Sequence, residues 1–213
     1  MLSGLPFTTE QFHEVFARYN EAIWPIQIVA YAAGGTSIGL LWVRPRRADC
    51  AIAWILGGLW LWTGVVYHGL YFAGINRLAY LFTALFVLQA VLLVWLASRL
   101  HFAKASKLGI GLSTVLIVYA MILYPLVGLA AGHAYAAMPM FGVTPCPVTL
   151  FTFGMLLLAP SAPRSLFAIP FLWSLIGGSA ALILDVPQDW PLLLSGLLVV
   201  GLLWLQGRAS SRA

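Results

Sequence analysis

The chain of 213 residues is 62% hydrophobic and only 8% charged, with a mean hydropathy of +0.96, whereas a soluble domain carries roughly 25% charged residues. This composition excludes an ordinary water-soluble domain and predicts one compact bundle embedded in a lipid bilayer. The net charge of +5 does not indicate nucleic-acid binding, because the basic residues cluster in a way that is typical of membrane orientation.

Residues 8–22 are predicted to form a short amphipathic helix within an extracytoplasmic segment over residues 1–23. Thr8 or Thr9 can cap its first turn, because a hydroxyl accepts a hydrogen bond from the free amides there. Apolar side chains at helical spacing form one stripe: Phe12, Val15, Phe16 and Tyr19. Such a helix lies in the membrane interface. It either simply covers the mouth of the bundle or acts as a gating lid.

Seven apolar segments follow, and each is predicted to be a transmembrane helix. They cover about residues 24–43, 51–71, 78–98, 108–130, 147–160, 165–184 and 190–206. A spanning helix needs about 20 residues, so the fifth segment is short unless the turn before it belongs to the helix. The fold class is therefore all-α, a polytopic membrane helix bundle over residues 24–207, with a cytoplasmic tail over 208–213.

The basic residues predict the direction in which the chain crosses the membrane. One set of loops carries nine of them: Arg44, Arg46, Arg47, Arg99, Lys104, Lys107, Arg164, Arg208 and Arg212. Only Arg18 and Arg77 fall in the other set. The positive-inside rule makes the first set cytoplasmic. The N-terminus is then outside and the C-terminus inside the cell, as an odd number of spans requires.

The first three and the last three spans share an order of features that suggests an internal repeat. The repeats would cover residues 24–99 and 146–208, joined by a linker helix over 108–130. This plan is similar, in layout alone, to that of SWEET-type sugar transporters. The alternative is that any seven-span chain has matching halves, and the shared Gly-Gly pairs are common in membrane helices.

The connection over residues 133–148 is the most informative segment of the chain. A polar loop is expected there, yet the segment is apolar and carries one thiol, Cys146, between Pro145 and Pro147. Irregular backbone is tolerated at membrane depth only where protein buries it or where it lines a cavity. The segment therefore predicts a re-entrant turn that presents the Cys146 thiol to the interior. The alternative is a small, buried and inert side chain.

Side chains that can bind a ligand gather near the predicted outer ends of the spans. The candidate ligand-binding residues are Cys146, His133, His68, Glu21 and Asp185. Thiolate, thioether and imidazole groups together suit a soft metal ion such as Cu(I). The candidate metal ligands are accordingly Cys146, Met138, Met140 and His133.

His68 and His133 could instead be the axial ligands of a haem, with Arg18 and Arg77 available for its propionates. This interpretation is less favoured, because the outer ends of the spans are less buried than a haem requires. Each histidine could equally be an interface residue bonded to a neighbouring carbonyl group. No Walker loop, GxGxxG or HExxH motif is present, and the last span lacks the lysine that retinal needs. The sequence does not favour an enzyme.

The run F-G-V-T-P-C-P-V-T-L-F-T-F-G (residues 141–154), preceded by G-H-A-Y-A-A-M-P, resembles a bacterial multi-pass membrane family known only as a domain of unknown function. The length and hydropathy of the chain also suit this family. The resemblance implies a bacterial inner-membrane protein. It implies no activity, substrate or cofactor.

These patterns predict a transporter or channel for a small solute or soft metal ion, with an outer vestibule formed by residues 133–148. One alternative is a haem-binding membrane redox protein or sensor. The other is a non-catalytic subunit or assembly factor that packs against a membrane partner or a second copy of itself. That alternative predicts a lipid-facing stripe of small residues such as Gly34, Gly35 and Gly39.

Overall fold

The computed structural model describes residues 6–102, 105–184 and 186–210, and within these ranges it is helical, with no β-strand. The helices are α1 (Thr9–Ala22), α2 (Ile26–Val43), α3 (Ala48–Gly74), α4 (Ala79–Trp95), α5 (Lys107–Ala130), α6 (Pro145–Leu157), α7 (Arg164–Ile183) and α8 (Trp190–Ser210). The all-α prediction is confirmed. Asp185, Lys104 and Arg212 lie outside the described residues.

All seven predicted spans are helical, but among the described residues five helices are long and apolar enough to cross a membrane, judged by length and composition. These are α2, α3, α5, α7 and α8, the last counted with the turn before it (Pro187–Leu205). Helices α4 and α6 are shorter, with 17 and 13 residues. Large apolar side chains such as Trp42, Trp95 and Leu70 are exposed on the outside of the bundle, which suits contact with lipid.

Helix α6 is the core of the bundle, because every one of its residues is buried. A helix that is apolar all round is either enclosed by protein or surrounded by lipid, and here α3, α5, α7 and α8 pack around it. Gly154 allows α5 to come close, since a Cβ atom there would lie 2.7 Å from Cγ1 of Ile117. The fifth apolar segment is therefore enclosed by protein within the bundle.

One buried hydrogen bond joins α3 to this central helix. The indole N–H of Trp60 donates to the Thr152 hydroxyl oxygen at 2.8 Å, and both side chains are fully buried. Neither group has access to water, so the two satisfy each other. The bond fixes the register between α3 and α6.

Replacing Thr152 by valine is expected to destabilise the protein, because the shape is kept while the acceptor is lost. A buried donor without a partner costs about 1–3 kcal/mol, which for a chain of this size lowers the melting temperature by a few degrees. The measurement is thermal unfolding in detergent. Thr152→Ser is the control, since it keeps the hydroxyl group. If both variants lowered the melting temperature equally, the effect would come from packing rather than from the hydrogen bond.

The loops that carry most of the cations meet at one end of the bundle. The Asp49 carboxylate lies 3.7 Å from Nη2 of Arg44 and 3.5 Å from Nδ1 of His101. The backbone N–H of His101 also donates to the Ser161 hydroxyl oxygen at 2.9 Å. Helix α2 separates this end from α1, which lies at the opposite end.

Helix α2 shows two different uses of glycine. A Cβ atom on Gly34 would lie 2.7 Å from the Phe141 ring, so this glycine allows α2 to dock onto the segment before α6. A Cβ atom on Gly35 or Gly39 would have no neighbouring atom within 4 Å. Of the three glycines predicted to face lipid, only Gly35 and Gly39 therefore lie on the outer face.

The internal repeat stays a prediction. A Cβ atom on Gly57 would lie 2.9 Å from Cγ2 of Val94 in α4, and one on Gly178 would lie 2.7 Å from Cβ of Leu193 in α8. Both Gly-Gly pairs thus lie where a helix contacts its successor, and small residues are frequent at such contacts in any membrane bundle.

Candidate functional site

Helix α1 lies across one end of the bundle with its apolar stripe turned inward. Val15, Phe16 and Tyr19 are buried, and Phe12 is half-buried. Thr8 caps the helix: its hydroxyl oxygen accepts from the Gln11 N–H at 3.2 Å, while the Gln11 side-chain oxygen accepts from the Thr8 N–H at 2.9 Å. The predicted amphipathic helix is therefore present, with Thr8 as its cap.

Tyr19 anchors α1 to the segment that precedes α6. Its hydroxyl group donates to the Val143 carbonyl oxygen at 2.7 Å and accepts from the indole N–H of Trp62 at 2.9 Å. Burial raises the pKa of Tyr19, so the phenol remains a neutral donor.

Asn20 provides a second anchor for α1. Its side-chain N–H groups donate to the carbonyl oxygens of Ala136 at 2.8 Å and Met138 at 2.9 Å. Because one amide satisfies two carbonyls of an irregular segment, the position of α1 and the path of residues 136–143 are fixed together.

A cavity of about 260 Å³ lies beneath α1, close to the small end of the range for ligand sites. Its aromatic lining comprises Phe7, Phe12, Phe16, Tyr67, Phe72, Phe82 and Trp173. Its polar lining comprises His68, Asn76, Cys146, Ser179 and Asp189. No lysine or arginine of the described residues lines it. The cavity is thus an apolar space with a few polar groups on its wall.

His68 is the least satisfied polar group of this cavity. It comes from a π-helical turn of α3 (Thr63–Tyr71), an irregularity that often occurs at functional sites. The side chain is fully buried, and neither ring nitrogen has a hydrogen-bond partner. The rings of Phe86 and Trp173 lie 4.8 and 5.0 Å from the imidazole, between centroids. A buried polar group without a partner is unfavourable, so a partner within the cavity is expected.

Cys146 lies in the first turn of α6 and lines the same cavity. The prolines on either side do not disturb this turn, because the first amides of a helix have no intrahelical acceptor. The thiol lies beside the Asp189 carboxylate and the Trp173 indole. The structure thus places the thiol next to an open space inside the bundle.

Asp189 is a site residue that the sequence analysis missed. It is buried just before α8 and lines the cavity. Its carboxylate accepts a hydrogen bond from the Tyr124 hydroxyl group. No lysine, arginine or histidine of the described residues forms an ion pair with it. The available signal was its place between a proline turn and an apolar helix, but in sequence it reads as an ordinary loop acid.

Apart from His68, the other predicted ligands that the structure describes do not line this cavity. Glu21 and Met140 line a separate cavity of about 420 Å³. The His133 ring lies 4.9 Å from the His13 ring, and its Nδ1 is 3.5 Å from the side-chain nitrogen of Gln188. The Met138 sulfur packs against Gly128. Asp185 lies outside the described residues.

The structure gives no support to the predicted soft-metal site. Within residues 6–102, 105–184 and 186–210, no group of three or more His, Cys, Asp or Glu side chains could hold a metal ion. A site built from Cys146, Met138, Met140 and His133 stays a prediction.

The paired-histidine haem site stays a prediction. His68 lines the cavity beneath α1, whereas His133 is not part of its wall. Aromatic rings close in on the His68 imidazole from α4 and α7, and the centroid of Phe82 is only 5.5 Å away.

Comparison with family models shows that the chain is similar to a family described as "Family of unknown function (DUF6064)", whose model matches residues 9–213. No curated protein and no solved structure gives a match to the chain.

Proposed function

The chain belongs to DUF6064, a family of unknown function, and we propose that it is a membrane carrier that binds a small, largely apolar solute beneath α1. The cavity supports this proposal by its size and by its aromatic lining, since sites for small molecules are mostly apolar with few polar groups. Five helices that could cross a membrane supply the setting.

The observation that carries the proposal is the unpartnered imidazole of His68. A neutral imidazole offers one donor and one acceptor, and here both face a buried environment. A solute with one polar group and an apolar body satisfies the ring and fills the aromatic space. Water alone would satisfy the ring but would leave most of the cavity wall in contact with poorly bonded water.

Helix α1 acts as the lid in this proposal. Phe12 and Phe16 belong to α1 and form part of the cavity wall, together with Phe7 just before it. A solute reaches the cavity when α1 lifts from residues 136–143. The nine-against-two distribution of cations favours an α1 end outside the cell, and in this proposal the solute binds from outside. The proposed location is the bacterial inner membrane.

Solute binding is expected to raise the melting temperature of the purified protein. The probes are benzyl alcohol, benzylamine and phenylacetate, which share one small ring and differ in charge. Binding at a hundred times the dissociation constant stabilises the folded state by about 2.7 kcal/mol, which corresponds to a rise of several degrees. Ala180→Leu should abolish the rise, because Ala180 lines the cavity and a larger side chain occupies it.

Ala32→Leu is the matched control, since Ala32 is exposed on α2 and does not line the cavity. Uptake of the most stabilising probe into vesicles that contain the protein should exceed uptake into empty vesicles, and Ala180→Leu should remove the difference. If none of the three probes stabilises the wild type more than Ala180→Leu, no solute site of this kind exists.

A further inference from the structure

We infer that the solute is an organic ammonium cation with a small apolar or aromatic body, bound to the Asp189 carboxylate within the aromatic cavity. This inference rests on the proposed function and specifies its substrate class. The charge of the cavity wall, its ring lining and its volume each favour this class of ligand.

Asp189 provides the charge for this interaction. Burial of a carboxylate is costly unless a cation is paired with it, and among the described residues no cationic side chain forms such a pair. The cavity wall is also without lysine and arginine. The Tyr124 hydroxyl group already donates a hydrogen bond to the carboxylate, and the Cys146 thiol lies beside it. A cation that enters the cavity completes the site, whereas an anion finds no lysine or arginine of the described residues on the wall.

The aromatic lining suits the same ligand. Ring faces carry negative charge density, so aromatic walls attract ammonium groups and replace part of their hydration. Trp173 contacts two polar residues of the cavity wall. Its ring centroid is 5.0 Å from that of His68, and its indole adjoins the Cys146 thiol. An ammonium group that binds Asp189 can therefore also lie near the Trp173 ring.

The volume limits the size of the cation. At roughly 30 Å³ for each water-sized group, a cavity of about 260 Å³ holds a ligand of about nine such groups. Benzylamine is of this size, and larger polycyclic cations are not. Benzyl alcohol has nearly the same shape without the charge, so the two probes differ only in what Asp189 recognises.

The test compares benzylamine, benzyl alcohol and phenylacetate as stabilisers of the wild-type protein and of Asp189→Asn, in detergent at neutral pH. Asparagine keeps the shape and an acceptor for Tyr124. We expect benzylamine to bind most tightly to the wild type, and its apparent dissociation constant to rise about thirtyfold or more in Asp189→Asn. The weaker binding of benzyl alcohol should be the same in both proteins. Tyr124→Phe, which keeps the carboxylate, should retain the preference for benzylamine.

Three other outcomes overturn the inference, and failure of Asp189→Asn to fold leaves the decision to the wild-type protein. If benzyl alcohol or phenylacetate binds as tightly as benzylamine, the proposed function stands and the cationic substrate is wrong. If Asp189→Asn leaves the ratio of benzylamine to benzyl alcohol affinity unchanged, Asp189 does not recognise the charge. If Asp189→Asn does not fold, the ranking of the three probes on the wild type decides alone. If no probe binds, the proposed function fails together with the inference.

Discussion

Gly142→Ala is expected to lower the melting temperature of the protein by about 10 °C, because two independent costs coincide at this position. Gly142 has a φ angle of +77°, and an L-residue in the left-handed region costs about 1–2 kcal/mol. A Cβ atom there would also lie 2.6 Å from Cβ of Ala30 in α2, and overpacking of this kind costs about 1–3 kcal/mol. The measurement is thermal unfolding in detergent, followed by loss of the monodisperse peak.

Gly132→Ala separates the two costs. Gly132 has a φ angle of +86°, but a Cβ atom there would have no neighbouring atom within 4 Å. Gly132→Ala should therefore show only the backbone cost, about 1–2 kcal/mol. The second control is Gly142→Ala in an Ala30→Gly background, which removes the clashing methyl group, so that relative to Ala30→Gly alone the change should cost no more than Gly132→Ala costs in the wild type. Equal losses in the two single glycine variants would show that α2 does not dock against Gly142 as described.

The helices could be predicted from the sequence because apolar runs and their polar boundaries are local properties. Helix α1 was predictable for the same reason: its 3/4 spacing and its cap are visible within 15 residues of sequence. The central position of α6 could not be predicted from the sequence. In a bilayer, lipid and protein are both apolar surroundings, so hydropathy cannot distinguish a helix that faces lipid from one that is enclosed by other helices.

The candidate site was predicted only in part, because its residues come from distant parts of the chain. Cys146 carried a local signal in its two flanking prolines, and the irregular segment around it led to the cavity. His68 was a candidate, but its isolation among aromatic rings depends on Phe86 and Trp173, which follow it by 18 and 105 residues. Asp189 reads as a loop residue, and only the folded chain brings Tyr124 to it.

Asn20→Asp is expected to release α1 from the bundle without unfolding the rest of the protein. The change replaces the side-chain NH₂ group by an oxygen atom, which then faces the carbonyl oxygens of Ala136 and Met138 at the present distances of 2.8 and 2.9 Å. Two hydrogen bonds become repulsive contacts, and a charge is left in a site that is only 4% exposed. Such a change costs about 3–5 kcal/mol.

Asn20 lies on the face of α1 that contacts the bundle, so the cost should appear as opening of the lid. Cys146 reports the opening, since its thiol lines the cavity beneath α1. With Cys50 replaced by serine so that one thiol remains, alkylation of Cys146 by N-ethylmaleimide should become about a hundredfold faster in Asn20→Asp. The far-UV circular dichroism of the remaining helices should change little.

Gln11→Glu is the matched control, because it makes the same amide-to-carboxylate change on the same helix. The Gln11 side-chain oxygen accepts from the Thr8 N–H, a carboxylate accepts equally well, and a negative charge is favourable in the first turn of a helix. Its alkylation rate should equal that of the parent. If Asn20→Asp also leaves the rate unchanged, α1 is not the barrier to the cavity, and a solute must reach His68 between the helices from the lipid side.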